Sequence, residues 1–233
     1  MIILPADKAT DQVESLVARY SGLQITEANS SQIRLRGSIR VYRTAYDFTV
    51  NKEYHIELLI PVDSDLLPCV YEIGNQIDKG YPHRYSDGKL CLETDTAIKL
   101  RFFDGLDLIE WMDEFVEPYF FSYEYYCRFG TFPFGERPHD LKGMIDTYKE
   151  QFHEEDDQVV FIFLKHIATG QYRGHHLCPC GSGKHLRNCH GYVLYPFMTD
   201  QRKREIASSD FFTIMEEIRR YENARQNNTA TKL

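Results

Sequence analysis

This chain of 233 residues has little that would take it into a membrane or onto nucleic acid. Met1-Ile2-Ile3-Leu4-Pro5 is too short an apolar run for a signal peptide, and no stretch approaches the ~20 apolar residues of a membrane span. Lys and Arg number 27 against 35 Asp and Glu, a formal net charge of −8 with no basic stripe. Binding to phosphate backbones or anionic lipid depends on cationic side chains, so neither nucleic acid nor membrane is expected as a partner. Cysteines number only six; three are crowded into 178–189 and the rest stand singly. That argues against a disulfide framework and for reduced thiols with a metal, in a cytoplasmic setting. A Gly-rich phosphate loop is absent, so the chain is not expected to adenylate a substrate itself. What it has in quantity is aromatics, 16 Tyr and 15 Phe, which speak for a filled globular interior and against extended disorder.

Val13, Leu16, Val17 and Tyr20 recur at helical spacing, predicting an amphipathic helix over 6–20 ended by Ser21-Gly22. The period then changes to two. Ile33 and Leu35, and later Tyr54, Ile56, Leu58 and Ile60, alternate with polar residues, predicting half-buried antiparallel strands over 23–26, 31–43 and 52–62, with a fourth over 68–73. Helical spacing returns at Leu106, Ile109, Trp111, Met112, Phe115 and Val116, predicting a helix from an Asp104 N-cap that Pro118 ends or kinks. Residues 141–152 read as a further helix, the apolar run 159–167 as helix or strand, and 199–220 as an amphipathic helix with Phe211, Phe212, Ile214, Met215 and Ile218 on one face. The order predicts an α+β fold: an N-terminal helix, a four-stranded antiparallel meander, C-terminal helices and a small metal-binding appendage. Domain boundaries are expected at 1–153, 154–198 and 199–233.

Residues 81–92 read Y-P-H-R-Y-S-D-G-K-L-C-L. A turn-rich run (Pro82, Ser86, Asp87, Gly88) delivers Cys91 between two leucines, so a thiol sits where a loop enters the core. A loop flank gives access, which a nucleophilic thiol needs; the bland alternative is a small buried hydrophobe. Cys69 in an apolar strand and Cys127 at an aromatic helix end both read as core.

The segment resembles the active site of ubiquitin-conjugating enzymes, where an H-P-N tripeptide precedes the catalytic cysteine. Tyr81-Pro82-His83 stands in that register, Asp87-Gly88 supplies the turn, and Cys91-Leu92 closes it. The family's element order also matches from residue 6 to 126, including a proline-bearing link (Pro61, Pro68) before the fourth strand. The resemblance implies that Cys91 accepts an activated protein C-terminus as a thioester and passes it to an amine. In this reading His83 occupies the oxyanion-donor position, and Asp87 and Asp95 are weaker candidates for steering the amine. His139 lies in a Gly- and Pro-punctuated loop that resembles one in bacterial relatives and could approach Cys91; ordering the loop is its commoner role.

Cys178-Pro179-Cys180 followed by Cys189-His190 offers three thiolates and an imidazole, a soft tetrahedral set that suits zinc, with Gly181 and Gly183 permitting the turn between the pairs. Four protein ligands leave no open position, so a structural Zn2+ is expected. Lys184, His185 and Arg187 on the same loop could alternatively form a docking patch, and His175 or His176 could replace His190. The motif resembles the SEC-C zinc motif appended to many bacterial proteins. Together the two resemblances place the chain with the stand-alone conjugating-enzyme proteins of CBASS anti-phage operons, which implies a cGAS-like nucleotidyltransferase as the partner whose C-terminus Cys91 handles. The rival readings are a non-catalytic adaptor that binds a protein C-terminus, and a cysteine hydrolase using Cys91 with His83 or His139.

Overall fold

The alternating runs become a meander because two of them are joined directly. Strands β2 (Gln32–Ala45) and β3 (Phe48–Pro61) pair from Gln32↔Pro61 to Ala45↔Phe48 across a two-residue turn. Both turn residues, Tyr46 and Asp47, have positive φ (52° and 56°), the primed conformation whose twist suits a hairpin. Strand β1 (Leu23–Ala28) pairs antiparallel with β2, and β4 (Cys69–Glu72) with β3, giving the order β1-β2-β3-β4. The period of two puts Ile33, Leu35, Ile39 and Val41 of β2 on one face with Val50, Tyr54, Ile56, Leu58 and Ile60 of β3, all buried. Gly37 breaks this apolar row for a steric reason. Its φ is 151°, and a Cβ there would stand 1.9 Å from the carbonyl oxygen of Gly22.

The computed structural model describes residues 2–135, 138 and 140–230. It is α+β, and its described part divides into two units, Met1–Arg137 and Pro138–Leu233. In the first, helix α1 (Ala6–Arg19) buries Ala9, Val13 and Leu16 at helical spacing. Pro5 at its N-cap has no side chain to cap with; Asp63, from the link after β3, accepts the Ala6 N–H instead at 2.9 Å. Gln12 clips α1 to the backbone at residues 106–108, donating to Leu106 O (2.6 Å) and accepting from Leu108 N (2.8 Å).

Helix α2 (Asp95–Arg101) starts from a Thr94 N-cap. The expected N-cap at Asp104 is instead Asp107, whose carboxylate accepts from the N–H groups of Ile109 and Glu110 and opens α3 (Leu108–Trp111). The helix then widens into a π-turn, Met112–Val116, before α4 (Glu117–Phe129). Pro118 neither ends nor breaks it. Its missing N–H and its ring cannot be fitted to a regular i→i−4 turn, and it sits in the first turn of α4 with the wide turn just ahead of it.

In the second unit, α5 (Asp140–Phe152) is followed by α6 (Asp157–Thr169), α7 (Gly191–Thr199) and α8 (Gln201–Ala230). The run 159–167 is helical: Asp156 accepts from Gln158 N and Val159 N, a cap that sets its start. The break between units falls ahead of α5, which the boundary expected at 153 grouped with the sheet. Phe152 of α5 meets Phe163 (5.7 Å) and Phe197 (5.2 Å) edge-on, and the Tyr148 hydroxyl donates to Asp210 at 2.8 Å, so the packing of α5 is with α6, α7 and α8. No described helix is long and apolar enough to cross a membrane.

Candidate thiol site and metal centre

The loop expected before Cys91 is a tight hairpin. Cys91 N–H donates to His83 O (2.9 Å), Arg84 and Leu90 form a bridge, and Tyr85 N–H donates to Lys89 O (2.9 Å). The turn is closed by Gly88 N–H to Tyr85 O (3.0 Å), with Gly88 at φ 92° and Asp87 accepting the Lys89 N–H at 2.9 Å. The returning arm lies along β4, where Leu90 N–H donates to Val70 O at 2.8 Å and Tyr71 bridges Lys89. In such a hairpin, residues two apart share a face. Leu90 joins the core cluster, while His83, Tyr85, Lys89 and Cys91 alternate with it.

The consequence for the thiol is specific. The Tyr85 hydroxyl donates to Cys91 Sγ at 3.5 Å, and Lys89 Nζ stands 5.9 Å from the Tyr85 ring centroid. Burial, with the charges of Glu93 and Asp95, pushes the Cys91 thiol up from its ordinary value, while the Tyr85 hydrogen bond and the Lys89 charge pull it part of the way back. Tyr85→Phe removes the donor, so the thiolate fraction falls; alkylation of Cys91 by iodoacetamide at pH 8, followed by peptide mass spectrometry, is expected to slow about threefold to tenfold, the loss of one hydrogen bond of roughly 1 kcal/mol. An unchanged rate would remove Tyr85 from the site.

His83 meets Cys91 through its backbone. Its ring packs edge-on against Phe132 (4.9 Å) and near Tyr81 (5.6 Å). Asp87 is occupied in the turn, and Asp95 is an exposed first-turn residue of α2. Cys69 is half-buried, and Cys127, which the sequence places in the core, is exposed on the last turns of α4. His139 lies outside the described residues. Buried donors without a hydrogen-bond partner among the described residues include Arg84 Nε, in the hairpin itself, and the hydroxyl of Tyr119, whose phenol is pushed far up by burial and then by Tyr81 and Cys91.

Cys178, Cys180, Cys189 and His190 come together, with one ligand atom from each lying within 4.8 Å of the others, so these four could bind a metal ion. Short backbone pairings build the cage. Leu177 bridges His185, Cys178 N–H donates to Lys184 O (2.8 Å), and Leu186 N–H to His176 O (2.8 Å), while Gly181 and Gly183 turn with φ of 80° and 73°. His190 Nδ1 lies 3.4 Å from both Cys178 Sγ and Cys189 Sγ, and Cys180 Sγ lies 3.6 Å from Cys189 Sγ. Burial pushes the Cys178 thiol up to about 11; for Cys180 burial is outweighed by hydrogen bonds from Ser182, which draw it down to about 6. His175 and His176 meet edge-on, their ring centroids 4.7 Å apart, and belong to no such cluster among the described residues.

No family model, curated protein or solved structure matches this chain.

Tyr85 is the site residue that reading the sequence passed over. The signal was available: with Ser86-Asp87-Gly88 as the turn, positions 83, 85, 89 and 91 fall on one face. Taking the segment as an irregular loop hid that periodicity. Arg84 and Tyr119 carried no comparable signal, because their unpaired state depends on where the hairpin and α4 meet.

Proposed function

We propose that this chain is a ubiquitin-conjugating-enzyme-like cysteine acyltransferase that carries a protein C-terminus on Cys91. The observation that carries the reading is the hairpin that sets a thiol, a tyrosine hydroxyl 3.5 Å away and a lysine on one face, at the end of a helix-plus-meander order followed by helices. In the first step the Cys91 thiolate attacks the carbonyl of an activated C-terminus; a carbon–sulfur bond forms and the activating group leaves with its electron pair. In the second, a lysine amine attacks that thioester, a carbon–nitrogen bond forms, the carbon–sulfur bond breaks, and the amine's proton is released as the Cys91 sulfur departs as thiolate. A hydroxyl donating to sulfur stabilises that leaving thiolate. The unpaired Tyr119 hydroxyl, which lies near enough to Cys91 to feel its charge, is a donor suited to a carbonyl oxygen, a need that the family resemblance would have placed on His83. In the CBASS setting the donor C-terminus belongs to a cGAS-like nucleotidyltransferase, and activation comes from another protein.

We propose zinc for the Cys3His centre. Tetrahedral zinc with sulfur at about 2.3 Å and nitrogen at about 2.0 Å needs S···S and S···N edges of about 3.7 and 3.5 Å. The edges of 3.6 and 3.4 Å are close to these. Bound there, the ion supplies cross-linking of the 178–190 loop, not catalysis, since Cys178, Cys180, Cys189 and His190 fill its coordination.

Incubation with a peptide thioester tests the transferase. Cys91 should be acylated faster than the exposed Cys127 and should discharge to free lysine, whereas Cys91→Ala should take no adduct there and Cys91→Ser should hold a stable ester. Acylation confined to Cys127 would overturn the reading. The buried thiol favours a second one, an adaptor that binds a protein C-terminus without chemistry; its binding would be equal in wild type and Cys91→Ala.

A further inference from the structure

His190 presents its two ring nitrogens to different neighbours. Nδ1 faces the sulfurs of Cys178 and Cys189, each 3.4 Å away, whereas Nε2 lies 3.7 Å from Oε2 of Glu154. An imidazole that gives its Nδ1 lone pair to a metal keeps its proton on Nε2, and that N–H is then the group facing the carboxylate. Glu154 belongs to the turn between α5 and α6, well upstream of the cysteine motif. It is held there independently of the histidine: its own N–H donates to Lys149 O (3.1 Å), and its Oε1 accepts from Asp156 N–H (3.1 Å), the residue that caps α6. His153, immediately before it, turns with φ 52° and stacks near Tyr192 at 6.4 Å. The His190 ring also lies 4.8 Å from Phe163 of α6. Both side chains of the pair are 20% exposed, so water offers little competition for the contact.

We propose that Glu154 is a positioning residue for the metal centre: it orients His190 by facing Nε2, and thereby makes metal affinity depend on the α5–α6 turn. Carboxylates behind a ligating imidazole fix its ring orientation and raise its basicity, and their loss commonly costs about tenfold to a hundredfold in metal affinity. The inference rests on the metal-centre reading given above. Glu154→Gln is the appropriate probe, because its amide oxygen can still accept from Asp156 N–H while the carboxylate charge facing Nε2 is gone.

The experiment uses the full chain loaded with zinc or with cobalt. Zinc affinity is measured by competition with a chromogenic chelator at pH 7.5, and the cobalt form by its visible absorption. Glu154→Gln is expected to lose about tenfold in zinc affinity and to shift the cobalt d–d bands with the sulfur-to-metal charge-transfer band kept. In a His190→Cys background there is no imidazole to orient, so the same substitution should cost nothing. Glu154→Asp supplies a second variant, with the carboxylate kept on a shorter stem and an affinity between the two. Affinity within twofold of wild type for Glu154→Gln, or an equal loss in the His190→Cys background, would overturn the role of Glu154 while leaving the metal centre standing. A wild-type chain that takes up no zinc would overturn the metal centre and this inference with it.

Discussion

If Cys178, Cys180, Cys189 and His190 hold a metal as proposed, stripping it is expected to lower the unfolding midpoint of the second unit by more than 10 °C and to leave that of the first in place. The loop from 174 to 190 contains only a short 3-10 turn, Leu186–Asn188, one backbone bridge and a few backbone hydrogen bonds. Of its residues Leu186 and Cys178 are the deeply buried ones near the cage, so apolar burial cannot hold it closed. Structural zinc contributes about 10–16 kcal/mol to small metal-dependent folds at neutral pH. Even a third of that, at roughly 4 °C or more per kcal/mol for a unit of this size, moves its midpoint by more than 10 °C. Calorimetry with and without excess chelator would show it, with Cys189→Ser as the genetic equivalent. A second transition untouched by chelator would mean that the helices hold the loop without an ion.

Tyr54→Ala is expected to cost the first unit about 3–5 kcal/mol, the largest effect of any single side chain in the sheet. Tyr54 is fully buried, its ring stacks on Phe120 of α4 at 4.2 Å, and its hydroxyl donates to Glu124 at 2.5 Å, an oxygen that also accepts from Lys52 Nζ at 2.6 Å. One residue thus joins sheet to helix by packing and by a hydrogen bond to a charge. Tyr54→Phe separates the two terms. It keeps the stack and leaves Glu124 paired with Lys52, so about 1–2 kcal/mol is expected. Urea unfolding followed by the fluorescence of Trp111, the sole tryptophan, reports the first unit alone. A Phe variant as unstable as Ala would assign the whole effect to the hydrogen bond.

The apolar alternation of β2 and β3 was legible because a sheet with one buried face imposes its period directly on the sequence, and the Cys3His motif because its ligands are close along the chain. The hairpin turn at Tyr46-Asp47 was not, since neither residue is the glycine or asparagine that usually signals positive φ at both positions. Asp104 and Asp107 both precede apolar periodicity, and only the packing of Gln12 against Leu106 and Leu108 selects the later one. The π-turn left no mark beyond Pro118. Helix α7 was missed because it is apolar on nearly all sides and carries Pro196 inside it, so it shows no stripe. The membership of α5 was decided by aromatic contacts with α6 and α7, partners far along the chain that periodicity cannot name.

In the sheet described above, every neighbour in space is also the neighbour in sequence, β1 to β2 to β3 to β4. During synthesis such a sheet can close as it is made, without waiting for a distant strand to leave the ribosome. At about 5–20 residues per second, Cys178 is polymerised on the order of seconds after Arg137. The thiol-bearing unit is therefore complete in sequence before Cys178, the first of the four clustered side chains, has been added, and its folding does not depend on that cluster. If the cluster needs its proposed ion to close, a shortage of metal would leave chains with a finished N-terminal unit and an unfinished C-terminal one, open to proteases in the second half alone.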